Sequence, residues 1–305
     1  MNTQLARITH DLSPIDNANL AEKTKYQYRK AIKNYLDTGN KLGDAQALQA
    51  YALNLPASSR SFLKAAIHLL SKGLVQDLKA GATPDNLPQV QASLYKLEAL
   101  QDAIKVEKSK GEKVHAWLSP MQVKAIMATC DDSTSGKRDW IILGLLLGSG
   151  IRCDELVNLT FDDLIDLPMP KNGIRTCIQV IGKGNKVRTI PIKPLLATRI
   201  QEWKAIVGNG KVARSLGRKN ILGDRLASQA VYQIVGKHGL KIGLKEPELA
   251  PHDLRRTFAQ IGYESGVPIT QISKQLGHES IETTQRYLNM DLDLVTTISD
   301  FIPLD

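Results

Sequence analysis

Four short stretches of this sequence gather residue types that bind anions and move protons. In PHDLRRTFAQIGYESG, Pro251 stands where a helix begins and Gly266 where one ends, so His252 and Arg255, three apart, share a helix face. In LGHESIETTQRYLN, Gly277 ends a helix, His278 sits in the turn, Ser280 can cap the next helix, and Tyr287 is expected two turns along it. A tyrosine is thereby held close to a turn histidine. Upstream, GSGIRCDEL places Arg152 just beyond a glycine-containing turn, with Glu155 three residues later and able to brace it. Lys183 occupies the tip of IGKGNKVR. Taken singly, each has an ordinary explanation: a capping arginine, a turn lysine, core or capping histidines, and an amphipathic tyrosine with its hydroxyl at the surface. Taken jointly they suit work on an anion. Guanidinium offers fixed parallel donors that stay charged at any working pH, and a phenol with a pKa near ~10 can attack once a base takes its proton.

The elements that must position these groups fall into two regions. From Thr24 to Thr38, Tyr26, Ile32, Tyr35 and Leu36 recur near helical spacing, while Lys25, Arg29, Lys30 and Lys33 fill the remaining surface. Further helices are expected at about 45–54, at 59–78 with Ser58 or Ser59 as cap, and at 88–106 after the breaker stretch AGATPDNLP. The stretch KVEKSKGEKVH, Lys105 to His115, is charged and poor in apolar residues, as an exposed hinge would be. Beyond it, a helix starts at Ser119-Pro120, an apolar helix covers 138–147, and CDELVNL is helical. The period then changes. Residues 175–181 and 187–192 are rich in β-branched side chains and are joined by GKGNK, which reads as a hairpin, and helices resume after it. The tail carries Leu294, Val295, Ile298, Phe301 and Ile302 at a helical repeat, an apolar stripe that must be buried against its own domain or a neighbouring protomer.

Composition narrows the partner. The 305 residues suffice for two cores, and 40 Lys+Arg against 31 Asp+Glu give a net charge of +9, which favours a polyanion, with nucleic acid ahead of a membrane surface. Cys130, Cys153 and Cys177 are an odd number without CxxC spacing, which argues against a disulfide framework or a structural zinc site and fits a reducing cytoplasm. The start, MNTQLARITHDLSP, lacks the apolar stretch of a signal peptide, and the longest apolar run, Trp140 to Leu147, is too short to span a bilayer. No membrane partner is expected. GKGNK lacks the GxxxxGK[ST] spacing of a nucleotide-binding loop and lies between strands.

In order along the chain, GxRxxEL, the hairpin lysine, HxLRxTxA and LGHxxxxxTxxY resemble the catalytic signature of the tyrosine recombinase or phage integrase family, over about residues 117–290. The first hundred residues are similar to the core-binding half of such enzymes in character and position only. The resemblance implies a mainly α, two-domain DNA clamp with a small β-sheet: a helical core-binding domain at 1–107, a linker at 108–116, and a catalytic domain at 117–305 with a tail helix at about 292–303. It implies a site-specific DNA recombinase that cleaves and rejoins strands through a covalent 3′-phosphotyrosyl intermediate.

Attack on a phosphodiester builds negative charge in a pentacovalent transition state, which preorganised cations or metal ions must stabilise. Asp131-Asp132 and Asp162-Asp163 are adjacent pairs that diverge in a helix or turn and read as solvated or capping carboxylates, so no metal and no cofactor is expected. Arg152 and Arg255 then form the phosphate clamp, Tyr287 is the nucleophile, and Lys183 is the general acid for the departing 5′ oxygen. By the resemblance, His252 assists the tyrosine's proton transfer and His278 donates to a phosphate oxygen. The family motif selects Arg255 as the clamp and leaves Arg256 as a backbone-phosphate contact. Lys25, Arg29, Lys33, Arg60 and Lys64 are the candidate DNA contacts of the first domain. The implied partners are double-stranded DNA with an inverted-repeat site, further copies of the chain forming a tetramer on DNA, and accessory DNA-bending proteins. A topoisomerase, and a DNA-binding regulator without activity, are the alternatives.

Overall fold

The computed structural model describes residues 11–106, 117–169, 173–182, 186–217, 221–245, 248–285 and 287–288. The expected linker at 108–116, Lys183 and the tail helix at about 292–303 lie outside the described residues. The chain divides into two compact units, Met1–Gly111 and Glu112–Asp305.

Among the described residues of the first unit the regular elements are all helices: α1 (Ser13–Asp16), α2 (Glu22–Leu36), α3 (Ala45–Leu53), α4 (Ala57–Ala80) and α5 (Leu87–Asp102). The apolar stripes noted in the sequence face one another, and Ile32 and Tyr35 of α2 pack with Leu63, Ile67 and Leu70 of α4 and Leu97 and Leu100 of α5. Asp44 caps α3 by accepting from the backbone N–H groups of Gln46 and Ala47, both at 3.0 Å. Helix α4 starts earlier than expected. Neither Ser58 nor Ser59 caps it; Pro56 precedes its first turn with φ −57°, a ring-fixed entry that needs no side-chain cap.

Among the expected DNA contacts here, Lys25 and Arg29 are engaged within the unit. The Lys25 ammonium donates to the Asp16 carbonyl at 2.8 Å and pairs with Glu22 at 3.0 Å, and Arg29 pairs with Asp16 at 2.9 Å. Arg60 donates from Nε to the Leu55 carbonyl at 3.0 Å. Lys33 and Lys64 are exposed.

The second unit is built round α7 (Thr134–Ser149), which follows α6 (Pro120–Ala128). Ser119 caps α6 and Ser133 caps α7, each accepting from a backbone N–H. The expected buried helix is here: Ile141, Ile142, Leu143, Leu145 and Leu146 are at most 2 % exposed. Buried Asp139 accepts from Arg138 at 2.9 and 2.7 Å and lies 3.0 Å from His238 Nε2, tying α7 to α10 (Ser228–Lys241) through a satisfied polar cluster.

After α8 (Cys153–Asn158) and a 3₁₀ turn at Phe161–Asp163, the sheet runs β1 (Leu164–Met169), β2 (Gly173–Ile181) and β3 (Val187–Pro191), an antiparallel meander in the order β1-β2-β3. The sequence predicts the β2–β3 pair; β1, which carries Pro168, is not among the expected strands. As an edge strand, β1 tolerates a residue without an N–H. Asp163 caps the turn by accepting from Thr160 N and Oγ1, both at 2.7 Å, whereas Asp131 accepts from the N–H of the cap residue Ser133 at 3.1 Å.

Helices α9 (Pro194–Val207), α10, α11 (Pro251–Glu264), α12 (Ile269–Leu276) and α13 (Ile281–Gln285) complete the unit, with Ile200, Trp203, Val231, Val235 and Leu254 joining the α7 core. Among the described residues no helix is long and apolar enough to cross a membrane.

One glycine joins this core to the motif residues. Gly150 ends α7 at φ 62°, and a Cβ there would lie 2.4 Å from Phe258 Cδ1 of α11. Gly150→Ala adds left-handed strain of about 1–2 kcal/mol to overpacking of about 1–3 kcal/mol. We expect the variant's thermal midpoint to fall by several degrees in calorimetry; a midpoint within one degree of wild type would show that Phe258 yields freely.

Candidate active site

Helix α11 opens at Pro251, and the Asp253 carboxylate accepts from the Ala250 backbone N–H at 3.0 Å. That cap fixes the first turn, from which His252 and Arg255 emerge on one face. Arg152 stands at the N-cap of α8, where its backbone N–H donates to Glu155 Oε2 at 2.6 Å and its Nη1 donates to Oε1 at 2.9 Å. The brace inferred from GxRxxEL is therefore present. Helix α12 ends in Gly277 at φ 66°, the left-handed position that lets the chain turn sharply into His278.

The end of α12 is the centre of the site. An α-helix leaves its last carbonyls without intrahelical partners, and they carry the negative end of the helix dipole. Three successive carbonyls here each take a different guanidinium. Gln275 O accepts from Arg188 Nε at 2.9 Å, Leu276 O from Arg255 Nη2 at 2.5 Å, and Gly277 O from Arg152 Nη2 at 3.1 Å. Arg255 also donates to the Gly150 carbonyl at 2.5 Å and is only 2 % exposed. Burial, and then the neighbouring Arg152 charge, lower its pKa to about 10, which still leaves it cationic at neutral pH.

Glu155 is the anion that binds this cluster. Burial alone would raise its pKa, but hydrogen bonds from Arg188 and from the Arg152 backbone and side chain carry it down to about 2. Arg188 reaches it with a parallel fork, Nη1 to Oε1 at 2.8 Å and Nη2 to Oε2 at 2.6 Å. Sequence reasoning missed Arg188. A signal was available: in a strand of period two, Arg188 shares the inward face with buried Ile190, and a charged group on that face needs a buried partner.

His278 packs between Thr284 and Arg255. Its Nδ1 lies 2.8 Å from Thr284 Oγ1 and its Nε2 3.4 Å from Arg255 Nη2. Burial, followed by the positive field of Arg255, Arg152 and Arg188, lowers its pKa to about 4, so the ring is neutral at physiological pH. Thr284, the threonine of LGHxxxxxTxxY, is fully buried and orients that ring.

Tyr287 is placed differently from the expectation. Helix α13 closes at Gln285, and Tyr287 follows it in a turn whose N–H bonds to the Thr284 carbonyl at 3.0 Å, a three-residue step that tightens the chain. Leu288, 5 % exposed, anchors the turn against Ile272 and Leu276. The phenol hydroxyl donates to the His252 carbonyl at 3.4 Å, and the rings of His252 and His278 meet the tyrosine edge-on at 5.2 and 5.4 Å. Arg256 lies over the Tyr287 ring at 5.3 Å and pairs with Asp253 at 3.6 Å. Burial raises the phenol's pKa, opposed by the attraction of Arg255 and Arg256.

Arg152, Glu155, His252, Arg255, His278 and Tyr287 thus converge from four separate segments, and Arg256 joins them from α11. Lys25, Arg29, Lys33, Arg60 and Lys64 belong to the other unit.

The sequence model of the phage integrase family matches residues 116–292, which contain every one of these converging residues. The chain belongs to the phage integrase family. Relatives include the tyrosine recombinase XerC of Pelobacter propionicus, 34% identical over 180 residues that make up 59% of this chain and 57% of the relative. Tyrosine recombinase XerA of Pyrococcus horikoshii is 33% identical over 204 residues, 65% of this chain and 66% of the relative. The match thus spans under two thirds of each relative's length.

Solved structures that share the fold include two integrases bound to DNA. A lambda integrase dimer bound to a COC′ core site gives a TM-score of 0.62 at 18% identity, over 94% of this chain and 76% of that one. The Tn1549 transposon integrase in complex with transposon right end DNA gives 0.60 at 14% identity, over 95% and 96%. The mainly α architecture with one small sheet is the integrase fold.

Proposed function

We propose that the protein is a site-specific DNA recombinase that cleaves a strand by forming a phosphotyrosyl bond at Tyr287 and rejoins it to a new partner. The observation that carries this reading is the convergence of one phenol, two histidines and two arginines on the end of α12 in a chain of this family. Xer-type relatives and DNA-bound integrases of the same fold support it.

In the cleavage step Tyr287 Oη attacks the phosphorus, its proton passes to a base assisted by His252, and the bond from phosphorus to the 5′ oxygen breaks. Lys183 supplies the proton that the 5′ oxygen gains. Arg152 and Arg255 hold the non-bridging oxygens, where each well-placed donor is worth about 2.7–4 kcal/mol in the transition state. The neutral His278 ring gains a donor role when the phosphate arrives, because an anion raises the pKa of a nearby imidazole. Since the phosphotyrosyl ester keeps roughly the energy of the original bond, attack by another 5′ hydroxyl reverses the step without ATP.

In this reading residues 1–107 form a core-binding domain, 108–116 a linker and 117–305 the catalytic domain with a tail helix at about 292–303. The substrate is duplex DNA with an inverted repeat in the cytoplasm, bound by a tetramer with or without DNA-bending proteins. Lys33, Lys64, Arg60 and Arg256 contact backbone phosphates, with Lys25 and Arg29 doing so by exchanging their carboxylate partners.

The test incubates the protein with fragmented DNA from its source, denatures it in detergent and sequences what stays attached. We expect reads that converge on an inverted repeat and a phosphorylated peptide containing Tyr287. Strand exchange between two marked duplexes carrying that site then separates a recombinase from a topoisomerase, which reseals without exchange. Binding without any adduct, on nicked duplexes as well as intact ones, would leave the regulator.

A further inference from the structure

Arg188 is more deeply built into the site than Arg152, yet nothing in the cleavage step uses it. Its fork is spent on Glu155 at 2.8 and 2.6 Å and its Nε on the Gln275 carbonyl at 2.9 Å. Its side chain is 11 % exposed, against 39 % for Arg152. The fit is close on the other side too, since a Cβ on Gly277 would lie 3.0 Å from Arg188 Cδ.

Glu155 receives two bonds from Arg188 and two from Arg152, which fills the roughly four acceptor sites a carboxylate offers. Any rotation of that carboxylate to serve Arg152 differently breaks bonds to Arg188. The Gln275 bond in turn ties β3 to the end of α12, one residue before the carbonyl that holds Arg255 and two before the one that holds Arg152.

We propose that Arg188 is a positioning residue: it locks Glu155 in the orientation that aims the Arg152 guanidinium at the scissile phosphate, and fixes the turn carrying His278 at the matching distance. The proposal rests on the strand-cleavage reading above. A lysine cannot replace it, because an ammonium is a point charge and cannot engage both carboxylate oxygens and a carbonyl in one plane. Its contribution lies in preorganisation, not in DNA affinity.

The test measures single-turnover cleavage by wild type, Arg188→Lys and Arg188→Gln on two duplexes. One carries an ordinary scissile phosphodiester; the other carries a neutral methylphosphonate there, as both diastereomers. We expect Arg188→Lys to cleave the phosphodiester about 10–100-fold more slowly, on the order seen for small misplacements of a positioned group, with its DNA dissociation constant within about twofold of wild type. On the methylphosphonate, which lacks one of the charged oxygens the clamp serves, the penalty should shrink severalfold.

The ratio of the two rates is taken within one preparation, so partial unfolding lowers both and leaves it unchanged. Should the lysine variant not fold, Arg188→Gln supplies the same ratio. An equal penalty on both substrates, or a loss confined to DNA affinity, overturns the proposal while leaving the function intact. A wild type that forms no adduct on either substrate overturns the function, and the positioning role with it.

Discussion

Tyr287→Phe should abolish the covalent protein–DNA adduct while leaving the fold and DNA affinity in place. The ring makes most of the contacts that hold the residue: it meets His252 and His278 edge-on at 5.2 and 5.4 Å and lies under Arg256 at 5.3 Å, and phenylalanine keeps all three. The hydroxyl donates to the His252 carbonyl at 3.4 Å and is hydrogen-bonded with Arg255, so its loss costs about 1–3 kcal/mol of stability. Chemistry fares differently, because in the proposed reaction the Tyr287 hydroxyl is the group that bonds to phosphorus, and phenylalanine has none. Removing a nucleophile from a covalent enzyme lowers turnover by about 10⁴-fold or more. Denaturing gels of nicked-duplex reactions give the comparison; an adduct of wild-type yield from the variant would move the nucleophile to another residue.

Glu155→Gln is expected to have the largest effect on stability, and an effect that depends on pH. The carboxyl's folded pKa of about 2 lies below its ordinary 4.5, so the folded state holds the anion more tightly than the unfolded chain does. A depressed carboxylate contributes stability that is fully present above the unfolded pKa and lost as pH falls through the folded one. Breaking one side of a buried ion pair costs roughly 3–5 kcal/mol, and a carboxyl held this far below its ordinary value by two arginines belongs in that class.

The variant should therefore trail wild type by roughly 3–5 kcal/mol at pH 7, and the gap should narrow as the pH drops from 4.5 towards 2. Tryptophan fluorescence in urea reads this selectively, because Trp117, Trp140 and Trp203 all lie in the second unit. A gap that stays constant from pH 7 to pH 2.5 would mean that Glu155 acts by shape and not by charge.

The two variants draw on different parts of what the sequence holds. Local patterns announced most of the helices: α2, α3 and α5 lie within a few residues of their expected spans, and α7 is the buried helix that the run from Trp140 to Leu147 requires. The β2–β3 pair was legible from β-branched alternation, whereas β1 was not, since its Pro168 is acceptable only on a sheet edge and sequence does not say which strand is the edge. The start of α4 was misplaced because a serine looks like a cap whether or not its hydroxyl reaches a free N–H.

The site divides in the same way. Residue types and spacing by themselves determined which groups could do the chemistry, because each motif is local: three residues separate Arg152 from Glu155 and His252 from Arg255, and one turn fixes each pair. The tertiary structure decided everything that depends on long-range approach. It turned the end of α12 into a row of carbonyls for Arg188, Arg255 and Arg152, brought Arg188 to Glu155 across 33 positions of chain, and set Tyr287 in a turn beyond α13 instead of on the helix. No periodicity encodes these contacts. A buried charge takes whichever partner the packed elements bring to it, and that pairing exists only once the helices and the sheet have met.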